Sequence, residues 1–419
     1  MTTQIIEEAE GVAFDSSVFD TAPFIPADAI FALTAKYISD PFSDKVNLGQ
    51  GTYRDEKGNP WVLPSVQRSR EILLAEGLYH EYLPILGLQD FREEATKLAL
   101  GIDIYRKRKL KLATCQSLSG TGALHLAGLL LRTCRKPLPK VYIPTPTWSN
   151  HTQVFESLGF QCESFKYYDE GKKNLDIDSY CSALRNAKPN SIVIIHACAH
   201  NPTGFDPSKE QWATIGEIMK QNNLFPVFDA AYLGFNSGNV DEDAFAIRYF
   251  IEELDMEAAV CLSFAKNMGL YGERTGCIFV KTSNEKAATN TQSVLEMLQR
   301  SEVSNPPAYG AKIAATVLKN HSLREAWYAD LDTMSGRIRS MRMALYKALI
   351  ENGAAGSWDH LIRQSGMFGF LGLSPNVVRK LREDYHVYMA DNSRISIAGL
   401  NPGNIDYVAR SIASVLKEC

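Results

Sequence analysis

Five short, nearly unbroken apolar runs limit what this chain can become. They are KVYIP (140–144), SIVIIHA (191–197), LFPVFDA (224–230), AAVCLSF (258–264) and GCIFV (276–280). Strands apolar on both sides must be covered on both faces, and helical patterns such as EQWATIGEIMKQNN (210–223) separate them. From about residue 60 to 330 the chain therefore reads as βαβ units in an α/β fold with a mainly parallel sheet. Ligands of such sheets bind beyond the strand ends. With 419 residues, 45% of them hydrophobic, the chain can bury a large core and exceeds one ordinary domain.

The ends of those runs carry the reactive side chains. Lys266 follows the 258–264 run, with Ser263 and Arg274 nearby and Gly269, Gly272 and Gly276 permitting a tight fold between the runs. SLSGTGALHLAGLLL (117–131) is a small-residue turn opening an apolar helix, so Ser119, Gly120 and Thr121 offer donors to a phosphate. PTPTWSNH (144–151) places Trp148 where it can stack on a planar ring. HACAHNPTGFDP (196–207) holds Asn201 on a rigid turn before Pro202, and FPVFDAAYLGF (225–235) ends a strand with Asp229, then Tyr232. A strand-end carboxylate needs a cationic partner, which a pyridinium N–H would supply.

Each feature has an ordinary reading: a loop lysine, a helix cap, a core tryptophan, an Asn-Pro turn, an aspartate capping a turn. Six at successive strand ends fit one common cofactor, pyridoxal 5′-phosphate. A dinucleotide fingerprint is excluded, because His125 stands where Gly120-x-Gly122 would require its third glycine.

A net charge of −4 and a pI near 6.1 give no basic field for nucleic acid or a membrane surface, which points to a small-molecule substrate. Eight scattered cysteines show no CxxC pair or metal-ligand spacing, so no metal is expected and the thiols read as reduced. Glu7, Glu8, Glu10, Asp15 and Asp20 precede any Lys or Arg, and no apolar stretch reaches membrane-spanning length, so the expected location is the cytoplasm. Residues 1–30 read either as an extended arm packing on a second subunit or as a frayed tail. Asp28 would cap a short helix to Tyr37, and Val46–Tyr53 is a strand entering a loop where Gly49 and Gly51 allow close backbone approach. Residues 323–351 form a long helical bridge to a small C-terminal unit of strand (367–373), helix (375–385) and strand (395–400).

SLSGTGALH, PTWSNH, HNPTG, DAAYLGF, SFAKNMGLYGERTG, SNPPAYGA (304–311) and RISIAGLN (394–401) together resemble the aspartate aminotransferases of the fold-type I pyridoxal-phosphate enzymes, eukaryotic cytosolic type, from about residue 24 to the C-terminus. HNPTG alone marks only the wider aminotransferase class. The resemblance implies a seven-stranded sheet in a large cofactor-binding domain over 59–329. A smaller α+β domain would combine 31–58 with 330–419, and 1–30 would be an arm. It implies Lys266 as the Schiff-base lysine and proton shuttle, Asp229 on the ring nitrogen, Asn201 and Tyr232 on the ring oxygen, and Trp148 on the ring face. Ser119, Gly120, Thr121, Ser263 and Arg274 would hold the phosphate, with Tyr82 reaching it from a second subunit. Arg394 would bind the substrate α-carboxylate and Arg300 of the partner chain its side-chain carboxylate, alongside Gly51, Trp148 and Asn201. His151 and His196 would support the ring and Asp229.

The implied reaction is exchange of an amino group between L-aspartate and 2-oxoglutarate, giving oxaloacetate and L-glutamate, in a homodimer with shared sites. Two guanidinium groups at fixed separation would select such dicarboxylates. Gln50 replaces the usual small apolar residue beside the substrate, and Ala230 the hydroxyl residue after the ring aspartate. The rival enzymatic reading is a related aminotransferase for aromatic or kynurenine-like substrates. A dehydrogenase and a binding protein that retains the fold without chemistry are the others.

Overall fold

The computed structural model describes residues 17–418. Glu7, Glu8, Glu10 and Asp15 of the expected arm, and Cys419, lie outside the described residues. The strands in chain order are β1 (Val46–Asn47), β2 (Leu112–Leu118), β3 (Val141–Thr145), β4 (Cys162–Lys166), β5 (Tyr168–Asp169), β6 (Asn174–Leu175) and β7 (Ile192–His196). Then follow β8 (Phe225–Ala230), β9 (Ala258–Ser263), β10 (Thr275–Lys281), β11 (Phe368–Phe370), β12 (Val387–Tyr388) and β13 (Arg394–Ser396).

Seven of them form one sheet in the order β2-β10-β9-β8-β7-β3-β4, parallel throughout except that β10 runs antiparallel to both neighbours. The five apolar runs are its interior strands. Every residue of β7, β9 and β10 is buried, as expected of strands covered on both faces. A fully buried side chain such as Phe228 or Ile194 contributes about 1.5–3 kcal/mol, so these strands fix the sheet before any polar contact counts.

The two remaining strands, β2 and β4, are edges and have no continuous apolar run. In β2 the break is Gln116-Ser117, both buried and satisfied by other elements. Gln116 Oε1 accepts from Leu88 N at 2.9 Å and its Nε2 donates to the Pro307 carbonyl at 2.7 Å.

Helices cover both faces, Ser119–Cys134 among them, and the 31-residue helix His321–Glu351 links the sheet to the C-terminal elements. The two strands there are shorter than the sequence suggested, whereas the helix Pro375–Tyr385 has the expected bounds. β1 pairs with β12 and β11 with β13 in two-stranded ladders, and the run 395–400 leaves the strand after Ser396 for a tight turn at Ile397–Gly399. The turn is imposed by close approach: a Cβ on Gly399 would stand 2.6 Å from the Asn47 carbonyl oxygen. The N-terminal helix spans Ala29–Ser39, and Asp28 caps it by accepting from Ile30 N and Phe31 N. Before it, Val18, Phe19, Phe24 and Ile25 are exposed in the single chain.

Candidate active site

Three chain segments meet at one end of the site. β10 runs back along β9, bringing Gly276 opposite Ser263, and along β2, bringing Thr275 opposite Leu118. Ser119 opens its helix in the left-handed region (φ 59°), its N–H donates to the Arg274 carbonyl at 3.0 Å, and its hydroxyl lies 2.8 Å from that of Ser263. Arg274 is itself left-handed (φ 51°); two such non-glycine residues in contact mark a conformation held by its surroundings. Only glycine fits at 276, where a Cβ would fall 2.5 Å from the Ser119 backbone. No side chain caps the helix Ser119–Cys134, so the N–H groups that follow Ser119 in its first turn remain available to an anion beside both hydroxyls and Arg274.

Asp229 sits just before the end of β8, level with His196 on β7. His151 Nε2 donates to Asp229 Oδ2 at 3.0 Å, while the Thr147 hydroxyl, 2.9 Å from Nδ1, fixes that tautomer by donating to it. Burial opposes charge on Asp229, but the hydrogen bond from His151, with Lys266 nearby, outweighs it and holds the carboxyl below its ordinary range. Its Oδ1 is buried and finds no partner among the described residues. An ionised carboxylate with one oxygen unsatisfied is a site for a cationic N–H.

Lys266, Tyr232, Asn201, Trp148, Gly51 and Arg394 line the same cavity, of about 660 Å³. Burial lowers the Lys266 ammonium's affinity for its proton, Asp229 opposes this, and Arg274 adds to it; the net direction is down. Burial also raises the Tyr232 phenol, which keeps its proton as a donor. Trp148 meets His151 edge to face at 5.5 Å. Arg394, only 8% exposed, donates from Nη1 to Asn201 Oδ1 at 3.3 Å and from Nη2 to the Gly49 carbonyl at 2.9 Å; its Nε is buried and unpartnered among the described residues. That leaves a guanidinium edge for an acid.

Burial pushes the His196 imidazole down to about 3 from an ordinary 6.5, with the nearby His151 adding to the effect and Asp229 opposing it. Between those values the unfolded chain binds the proton and the folded one does not, so this stability is complete above pH 6.5 and is lost as pH falls. From pH 7 to 5 the loss is about 2 kcal/mol, and His196→Gln is expected to remove it. Urea unfolding of both proteins at the two pH values checks this; equal losses would mean the folded imidazole is charged.

Tyr82 and Arg300 do not line this cavity. Tyr82 is 86% exposed, and Arg300, near the end of the helix Glu285–Val303, faces solvent and bonds the Ser304 hydroxyl. Gln50 is outside it too, its amide 3.4 Å from an Arg54 nitrogen. Sequence reading missed Phe368, whose ring lies 4.3 Å from the Arg394 guanidinium, and Tyr271, whose hydroxyl accepts from Tyr53 N at 2.9 Å and ties the first loop to the lysine loop. Neither has a signal in local spacing, since both contacts join distant parts of the chain.

The family described as aminotransferase class I and II matches residues 43–412. The chain belongs to that family. This aminotransferase is similar to the cytoplasmic aspartate aminotransferase of Saccharomyces cerevisiae, with 42% identity over 409 residues, 96% of this chain and 98% of the relative. A solved structure of aspartate aminotransferase from the same yeast's cytoplasm superposes with a TM-score of 0.92 at 41% identity, covering 96% of this chain and 99% of that one. An aromatic-amino-acid aminotransferase from Burkholderia pseudomallei, solved covalently bound to pyridoxal phosphate, superposes with the same score at 37% identity, covering 96% and 100%. No helix among the described residues is long and apolar enough to cross a membrane.

Proposed function

We propose that this chain is a pyridoxal-phosphate-dependent transferase that moves the amino group reversibly between L-aspartate and 2-oxoglutarate, forming oxaloacetate and L-glutamate. The observation that carries it is one cavity holding an anion cradle, an amine, a half-satisfied carboxylate and the buried Arg394 with a free N–H. The donor set fits the cofactor. Ser119, Gly120, Thr121, Ser263 and Arg274 would hold its phosphate, Asp229 its ring nitrogen, Asn201 and Tyr232 its ring oxygen, and Trp148 its face. Bound there, the cofactor supplies a protonated ring that accepts the electrons released at the substrate α-carbon.

The residues of the chain do the rest. Lys266 holds the cofactor through its amine and moves the α-proton, and its lowered basicity makes the neutral amine accessible near neutral pH. Asp229, kept ionised by His151, holds the ring nitrogen's proton in place. Tyr232 stays a donor toward the ring oxygen. Arg394 orients the α-carboxylate against the Asn201 amide, and the backbone at Gly51 approaches the substrate without a side chain in the way.

The active form is a homodimer in this reading. The exposed Tyr82 and Arg300 serve the cavity of a second copy, to the phosphate and to the side-chain carboxylate, and the apolar residues 18–25 pack on it. Arg300→Asp is expected to lower kcat/KM for aspartate about 100-fold or more while changing that for phenylalanine less than about fivefold, since only aspartate loses a charge partner and meets repulsion. Comparable losses with both substrates would remove Arg300 from this role. Residues 31–58 with 330–419 act as the smaller domain against 59–329, and the protein works in the cytoplasm, which cell fractionation tests.

The test of the whole reading is the near-ultraviolet to violet spectrum of the purified protein with cofactor, followed by an assay with aspartate and 2-oxoglutarate. A second reading, turnover of aromatic amino acids, is favoured by the likeness to the Burkholderia pseudomallei enzyme. The ratio of aspartate to phenylalanine turnover separates the two.

A further inference from the structure

Arg342 is the only buried cation among the described side chains of the helix His321–Glu351, at 4% exposed, and no carboxylate offsets its burial. A guanidinium that gives up water without gaining an opposite charge must satisfy its N–H groups elsewhere. Arg342 satisfies them on one short stretch. Nη1 donates to Gln364 Oε1 at 3.3 Å, and Nη2 donates to the carbonyls of Gly366 and Phe368 at 2.7 and 2.9 Å. Gln364 in turn bonds both the N–H and the carbonyl of Phe370, at 3.0 and 2.9 Å, so one guanidinium and one amide clamp residues 364–370.

That clamped stretch touches Arg394 by three routes. The Phe368 ring lies 4.3 Å from the Arg394 guanidinium. Phe370 pairs with Arg394 across β11 and β13. Ser365 N donates at 2.7 Å to the Gly204 carbonyl, in the turn that carries Asn201, itself bonded to Arg394. We propose that Arg342 is a positioning residue for α-carboxylate recognition: it fixes 364–370 and thereby the place and direction of the Arg394 guanidinium. This rests on Arg394 being the α-carboxylate anchor.

The test uses cofactor-loaded wild type, Arg342→Lys, Arg342→Met and Arg394→Lys, measuring KM and kcat for aspartate and 2-oxoglutarate, and Kd for succinate as an unreactive dicarboxylate. Because the carboxylate is held before and during the reaction, Arg342→Met is expected to raise both KM values and the succinate Kd about tenfold or more, with kcat changed less than about threefold and the cofactor spectrum unmoved. Arg342→Lys, whose single ammonium cannot reach all three acceptors, is expected to fall between. If Arg342→Met does not fold, Arg342→Lys decides. In a double-mutant cycle with Phe368→Leu, the Arg342→Lys effect on succinate binding is expected to shrink, because both changes act on one contact. Wild-type succinate affinity in folded, cofactor-loaded Arg342 variants overturns the proposal, as does strict additivity in the cycle. The Arg394→Lys control separates the failures: if it weakens succinate and the Arg342 variants do not, only this proposal falls. If Arg394→Lys leaves succinate binding intact, the anchor reading falls and this one with it.

Discussion

Lys266→Ala is expected to lower transamination by about 10⁴-fold or more while the protein stays folded and still binds the cofactor through its phosphate cradle. The two halves of that expectation come from different parts of the site. The phosphate would be held by the uncapped helix N-terminus, the paired hydroxyls of Ser119 and Ser263, and Arg274, none of which contacts the lysine amine by a hydrogen bond. On the proposed reading, removing the amine takes away the covalent attachment and the group that moves the α-proton, and among the described residues the only other lysine lining the cavity is Lys36, on the N-terminal helix. The variant should therefore replace the imine spectrum of the loaded protein with that of unlinked aldehyde cofactor, and retain its far-ultraviolet circular dichroism. Activity within about tenfold of wild type would end the assignment of Lys266.

Arg394→Leu is expected to lower kcat/KM for aspartate and for 2-oxoglutarate by about 10³-fold, mostly through KM. Each hydrogen bond between ionised partners is worth about 1.5–3 kcal/mol, and a bidentate carboxylate makes two. Beyond the lost substrate contacts, the substitution also strands the Asn201 amide oxygen and the Gly49 carbonyl, both deprived of a buried donor. Thermal unfolding should therefore shift as well, by an amount set at about 1–3 kcal/mol per stranded group. The two effects are separable by saturating with substrate: kcat recovers if binding is the loss, and does not if the site has collapsed. Arg394→Lys is not a mild alternative, since one ammonium cannot reproduce a planar fork.

Much of this was legible in the chain. The interior strands declared themselves because a strand buried on both faces has no polar residue to interrupt it, and the reactive groups fell at their ends because that is where a parallel sheet leaves backbone and side chains free to meet a ligand. Asp229, Lys266 and Trp148 needed no partner to be noticed. The edge strand β2 was hidden by Gln116 and Ser117, whose polarity is answered only by residues far off in the chain, Leu88 and Pro307 among them. Phe368, Tyr271 and Arg342 were hidden for the same reason: their importance lies in what folds against them. Arg300 could be read only by likeness, because a surface cation on a helix carries no mark of serving a neighbour.

The pairing of β11 with β13, and the bond from Arg394 to the Gly49 carbonyl, have an outcome for the making of this protein. Ser119, Asp229 and Lys266 are all synthesised well before Arg394, the proposed anchor for the acid, and Arg394 is tied to the Gly49 carbonyl in a loop synthesised near the start. On the proposed reading, then, the hold on the acid is the last part of the site to be made, and it depends on one of the first parts of the chain to be made.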